Sequence, residues 1–129
     1  VTGAASRFEG HAALWDRVDR AGDVFRAGAF GPARTVPLLW QHRGGPVGVA
    51  DVHEDATGLR IVGRLTDAGL AALVRDGRLR GLSVGYRPLV AARGRVRELL
   101  RVELVEVSLV AVPMQPAARI DRVFQEETI

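Results

Sequence analysis

Apolar positions along this chain recur mostly at every second residue, with two departures toward a helical period. Phe8, Gly10, Ala12 and Leu14 alternate loosely and predict a first strand over residues 6–15. Residues 16–22 are polar and close on Gly22-Asp23, a loop signal. Gly28 to Pro32 is broken by glycine and proline and predicts irregular backbone or one short helical turn. From Thr35 to His42 the two-residue period puts Val36, Leu38, Trp40 and His42 on one face of a strand. Gly44-Gly45-Pro46 then reads as the turn. Val47–Val52 and Leu59–Leu65 flank Asp55-Ala56-Thr57-Gly58 and predict a hairpin.

The period changes next. Thr66 or Asp67 can cap a short helix carrying Leu70, Leu73 and Val74, with Gly77 suited to stop it. Strand character returns from Gly81 to Val90, Ala92-Arg93-Gly94 turns the chain, and Val96–Val112 is a long Val- and Leu-rich run ended by Pro113 and Pro116. Ala117, Ile120, Val123 and Phe124 fall at helical spacing and predict a short amphipathic helix over 117–127. About six strands and two small helices describe an α+β domain, rich in β-barrel and flanked by short helices. Its 129 residues fit one domain over 1–129.

Composition narrows the chemistry. A hydrophobic content of 47% with 26% charge is ordinary for a globular chain and excludes wholesale disorder. No apolar run reaches the roughly 18–20 residues that span a bilayer, and no charged segment precedes an apolar one as in a secretory signal. The chain has no cysteine, which excludes disulfides, thiolate metal sites and cysteine nucleophiles. All 18 basic residues are arginine, so lysine Schiff-base chemistry and Ser–Lys dyads are excluded as well. Arginines 75, 78, 80, 87, 93, 95, 97 and 101 crowd one stretch. With a net charge of only +3, they read as a solvated face, the rival being a nucleic-acid surface. No glycine pattern fits a phosphate cradle.

The nucleophiles left are Ser6, Ser83, Ser108 and a few threonines. Ser83 stands out in Gly81-Leu82-Ser83-Val84-Gly85-Tyr86, where flanking glycines bare one strand face for close approach of another backbone. Among three histidines, His42 ends an apolar strand beside a loop, a position suited to proton transfer. His53, with Asp51, Glu54 and Asp55, sits at a hairpin tip where solvated charge is expected rather than a metal site, and His11 beside Gly10 reads as packing. Glu106 shares a strand face with Leu104, Ser108 and Val110, opposite to that of Glu103. A carboxylate among apolar neighbours is costly unless paired.

Taken in order, these segments resemble the prohead (procapsid) maturation proteases of tailed bacteriophages, whose relatives also occur in gene transfer agents. The resemblance rests on Gly22-Asp23-Val24, Gly28-Ala29-Phe30, Pro37-Leu38-Leu39-Trp40-Gln41-His42, Pro46-Val47-Gly48 and Gly58-Leu59. It continues through Gly81-Leu82-Ser83-Val84-Gly85-Tyr86 and Glu106-Val107-Ser108-Leu109-Val110 to Pro113 and Ala117. It implies a fold similar to the herpesvirus assembly proteases and a serine endopeptidase with Ser83 as nucleophile, His42 as base and Glu106 as orienter. Herpesvirus relatives use a second histidine as third member, so His11 and His53 stand as alternatives to Glu106. The chain departs from the family in its minimal helix near Thr66–Gly77 and in Arg43-Gly44-Gly45 after His42, where relatives commonly carry an aspartate.

The implied substrates are a scaffolding protein or the scaffolding segment of the major capsid protein, and the protease itself. The implied setting is the immature prohead in the bacterial host cytoplasm, with a homo-oligomer allowed. No cofactor, metal, membrane or nucleic-acid partner is expected. The rival reading is a catalytically inactive capsid or tail assembly protein on the same barrel.

Overall fold

A computed structural model describes residues 6–125. Eight strands and one helix follow in chain order: β1 (Ser6–Leu14), β2 (Asp23–Phe25), β3 (Arg34–Trp40), β4 (Arg43–Glu54), β5 (Gly58–Leu65), α1 (Ala68–Arg75), β6 (Gly81–Arg93), β7 (Arg97–Val110) and β8 (Ile120–Gln125). Hydrogen-bonded neighbours run β2-β7-β3-β4-β5-β1-β8, and β6 also pairs with β7.

The long strand β7 organises the sheet. β6 runs antiparallel along it, from Arg93 opposite Arg97 to Gly81 opposite Val110. β2 pairs parallel with residues 97–99 and β3 with residues 107–109, at opposite ends of the same strand. The sheet curls until its ends touch at one place. There Leu82 N–H donates to Ala118 O at 3.0 Å and Ile120 N–H donates to Arg80 O at 2.8 Å. The result is a mostly β, curled half-barrel with one short helix among the described residues.

Alternation decides which face fills it. Along β5 the buried positions Leu59, Ile61 and Leu65 point inward with Phe8, Leu38, Leu82, Val107 and Leu109. Between Ile61 and Leu65 stands Gly63, paired with Phe8 of β1. A Cβ on Gly63 would meet the Phe8 ring at 2.2 Å, so the absence of a side chain there lets the ring lie across β5. An aromatic cluster packs against this core. Phe25 packs on Phe30 with centroids 5.1 Å apart and meets Tyr86 edge-on at 5.0 Å. The helix starts as predicted, with Asp67 Oδ1 accepting from Leu70 N–H at 2.9 Å.

Three expectations need correction. The segment expected as a helix over 117–127 enters the sheet: Ile120–Gln125 is β8, antiparallel to β1, and residues 126–127 lie outside the described residues. Its i, i+3, i+4 apolar spacing is outweighed by backbone pairing with β1. The α+β description with flanking helices therefore gives way to a mostly β fold. The chain also turns earlier than expected: Trp40 pairs with Arg43, leaving Gln41 and His42 as the two turn residues, while Gly44-Gly45-Pro46 begins β4. The arginine-rich stretch is spread over several elements: Arg80 and Arg93 stand at opposite ends of β6, and Arg97 is committed to Asp23.

Candidate active site

The Gln41-His42 turn needs left-handed backbone at both residues, with φ of 54° and 60°. Such a turn matches the twist of a two-residue hairpin, but neither residue is glycine, so it must be held. Gln41 N–H donates to Leu109 O at 2.9 Å, and its side-chain Oε1 accepts from Ala111 N–H at 2.8 Å. His42 N–H donates to Ser108 Oγ at 3.0 Å. Two of these ties run to β7 and the third to Ala111 just past its end, which fixes the imidazole against that strand.

Glu106 and Ser108 share one face of β7. Glu106 is 7% exposed and Ser108 is fully buried. The Ser108 hydroxyl donates to Glu106 Oε1 at 2.7 Å while accepting from His42 N–H. The other carboxylate oxygen, Oε2, accepts from His42 Nδ1 at 2.7 Å. With Nδ1 bearing the proton, Nε2 keeps its lone pair. The hydrogen bond to Glu106 raises the His42 pKa above the ordinary imidazole value, burial opposes this, and Coulomb attraction to Glu106 adds to it.

The carboxylate lies where it does because the residue across from it has no side chain. Gly85 of β6 pairs with Glu106, and a Cβ on Gly85 would sit 2.0 Å from Oε2 and 2.6 Å from the carboxyl carbon. Two residues back on β6, Ser83 pairs with Ser108, so Ser83 and Gly85 lie on the same face as Glu106 and Ser108.

Ser83 is 8% exposed and lines a cleft of about 100 Å³ together with His42, Phe25, Tyr86, Met114 and Gln115. Ser83 Oγ makes no hydrogen bond to the imidazole among the described residues; in serine enzymes that bond commonly tightens only when substrate packs in. Because Leu82 N–H points away from β7 toward Ala118 O, strand alternation turns Val84 N–H the same way, along the free edge of β6.

The other candidates lie elsewhere. His42 and His53 are near opposite ends of β4. His11 Nε2 contacts Asp55 at 2.9 and 3.1 Å. Neither His11 nor His53 meets His42. The hairpin-tip acids each have a partner: Asp51 accepts from Thr35, Glu54 from the backbone of Gly28, Phe30 and Gly31, and Asp55 from Thr57 and Gly58. No cluster able to hold a metal ion occurs among the described residues. Ser108, one of the candidate nucleophiles in the sequence, is instead fully buried and tied to Glu106 and the His42 backbone; the Glu-x-Ser spacing on one strand face was the signal for its link to that carboxylate.

The same curled fold occurs in varicella-zoster virus protease, with a TM-score of 0.58 at 17% identity, covering 92% of this chain and 64% of that one. It also occurs in KSHV protease in complex with a hexapeptide phosphonate inhibitor, with a TM-score of 0.53 at 13% identity, covering 82% of this chain and 59% of that one. The prohead protease of Enterobacteria phage HK97 is 36% identical over 92 residues, covering 61% of this chain. The match spans 41% of that phage protein's length. A family model of the caudovirus prohead serine proteases matches residues 2–128. The chain belongs to the caudovirus prohead serine protease family.

Proposed function

We propose that this chain is a serine endopeptidase of capsid maturation in which Ser83 is the nucleophile, His42 the general base and Glu106 the orienting carboxylate. The observation that carries the reading is the 2.7 Å His42 Nδ1–Glu106 Oε2 bond beside a cleft shared by His42 and Ser83.

The chemistry follows from proton positions. Glu106 keeps the Nδ1–H tautomer, so Nε2 takes the Ser83 proton as Oγ bonds to the scissile carbonyl carbon. The resulting oxyanion requires N–H donors, each typically worth about 3–4 kcal/mol; Val84 N–H on the free edge of β6 is available for that role. Collapse breaks the C–N bond, and the imidazolium returns its proton to the departing amine. Water then attacks the acyl-enzyme with His42 again as base, releasing the new carboxyl terminus and restoring Ser83.

The substrates that fit this reading are scaffolding protein or the scaffolding segment of the major capsid protein, and the protease itself, inside the immature prohead of a bacterial host. The test is mass spectrometry of the major capsid protein co-expressed with wild-type chain or with Ser83→Ala. A defined N-terminal segment lost only with wild type is the expected result. Uncut capsid protein in both samples, in particles containing the chain, would instead assign it a non-catalytic assembly role.

A further inference from the structure

The cleft beside Ser83 has an unbalanced set of polar groups. Asp19, in the loop between β1 and β2, lines it and is 92% buried by its 8% exposure. Its Oδ1 accepts from Ala21 N–H at 2.8 Å and Asp23 N–H at 3.0 Å. Its Oδ2 has no hydrogen-bond partner among the described residues. A carboxylate oxygen open to a cleft, on a side chain otherwise packed away from water, favours a donor there, above all a charged one.

The neighbouring groups do not supply that donor. Tyr86 spends its hydroxyl proton on Asp23 Oδ2 at 2.7 Å, which leaves the phenolic oxygen as an acceptor. Gln115 gives its amide N–H groups to Leu14 O and Arg17 O, and its Oε1 accepts from Leu14 N–H. Arg97 is bound through Nε and Nη2 to both oxygens of Asp23, and Arg93 acts on Asp23 only at longer range. Neither arginine hydrogen-bonds Asp19. Asp23 thus takes the bound guanidinium of Arg97, and Asp19 keeps an oxygen with no arginine bonded to it. The cleft that Ser83 and this acid share is also lined by Ala12, Ala21, Phe25 and Met114, suited to the methylenes of a long side chain.

We propose that this cleft selects a lysine or arginine at the substrate residue that supplies the scissile carbonyl, with Asp19 as the specificity-determining acid. The assignment rests on the protease reading above and names its substrate class. An acidic residue there would meet the Asp19 charge, and a neutral one would leave Oδ2 without a cationic partner.

The test digests an unbiased peptide library, prepared without cleavage at basic residues, with the full chain and maps the cuts by mass spectrometry. In parallel, a fluorophosphonate probe reports Ser83 in wild type, in Asp19→Asn and in a Ser83→Ala control. Lysine or arginine dominates the carbonyl-side position with wild type. Asp19→Asn keeps the Oδ1 acceptor for the loop and lowers the lysine-over-methionine ratio of kcat/KM by about 30-fold, the loss of one charge-assisted contact. Ser83 labelling without a basic preference overturns the Asp19 assignment and leaves the protease standing, as does a ratio that survives in labelled Asp19→Asn. Absence of both labelling and cleavage in wild type overturns both readings. The wild-type profile decides the matter even where Asp19→Asn fails to fold.

Discussion

Replacing Gly85 by alanine separates the site from the fold more cleanly than removing any polar group. The added methyl would lie 2.0 Å from Glu106 Oε2, whereas ordinary contact begins at 3.4 Å. The carboxylate must therefore retreat by about 1.4 Å, the difference between those distances. That oxygen is the one that accepts from His42 at 2.7 Å, so the bond is broken rather than stretched. The clash falls on the end of a flexible side chain and not on backbone, so the barrel survives at a cost of about 1 kcal/mol, or roughly 3–5 °C in Tm. A mis-set orienting carboxylate costs about 10²- to 10⁴-fold in kcat. His42 should lose the main cause of its raised pKa and titrate closer to an ordinary imidazole. Imidazole NMR titration and kcat/KM on a capsid-derived peptide read both effects. Adding Glu106→Asp shortens the side chain by one carbon–carbon bond, about 1.5 Å, and should return part of the activity to Gly85→Ala. A Gly85→Ala chain with unaltered His42 titration and unaltered kcat/KM would refute the steric reasoning.

Other perturbations follow from the same geometry. In the proposed role His42 must be neutral to act as base, and its pKa is raised, so the acid limb of kcat/KM should lie above the ordinary imidazole range; Glu106→Gln should move it to lower pH while depressing the plateau, as a pH–rate profile will show. The same shift stabilises the fold below the ordinary imidazole pKa and is lost as pH rises through the elevated value, so the Tm gap between wild type and His42→Ala should narrow across that window. Ser108→Ala leaves His42 N–H and Glu106 Oε1 without their shared hydroxyl; a loss of about 1–3 kcal/mol is expected in denaturant melts, together with a displaced His42 titration. Gly63→Ala sets a methyl 2.2 Å from the Phe8 ring and should cost about 1–3 kcal/mol through overpacking, with Ser83 chemistry retained in the folded fraction.

Local signals carried much of the architecture. The β4–β5 hairpin, the Asp67 cap and the long β7 run were legible because period and punctuation agree there. Elsewhere the deciding forces are remote in sequence. β2 is three residues long, too short to display a period, and exists because β7 offers it an edge. Ile120, Val123 and Phe124 suit a helix as well as a strand, and only the presence of β1 alongside settles the matter. The turn at Gln41-His42 passes over two available glycines because Ser108 of β7 and Ala111 just beyond it anchor the turn from 66 and 70 residues away. Ser83, His42 and Glu106 could be picked out by residue type and flanking glycines. Their proximity depends on the β6–β7 register, and the room for Glu106 depends on which residue of β6 lies opposite, neither of which one strand reveals.

The seam between β6 and the lead-in to β8 sets an order of events during synthesis. The strand bearing Ser83 gains its second neighbour only when residues 118–120 arrive, and β8 must cross back to the first strand of the chain. Pairing so remote in sequence forms late and slowly. A nascent chain that has exposed Ser83, His42 and Glu106 still has an open edge beside its serine. β8 and its lead-in thus act as a timer, withholding a finished cleft until they have been made.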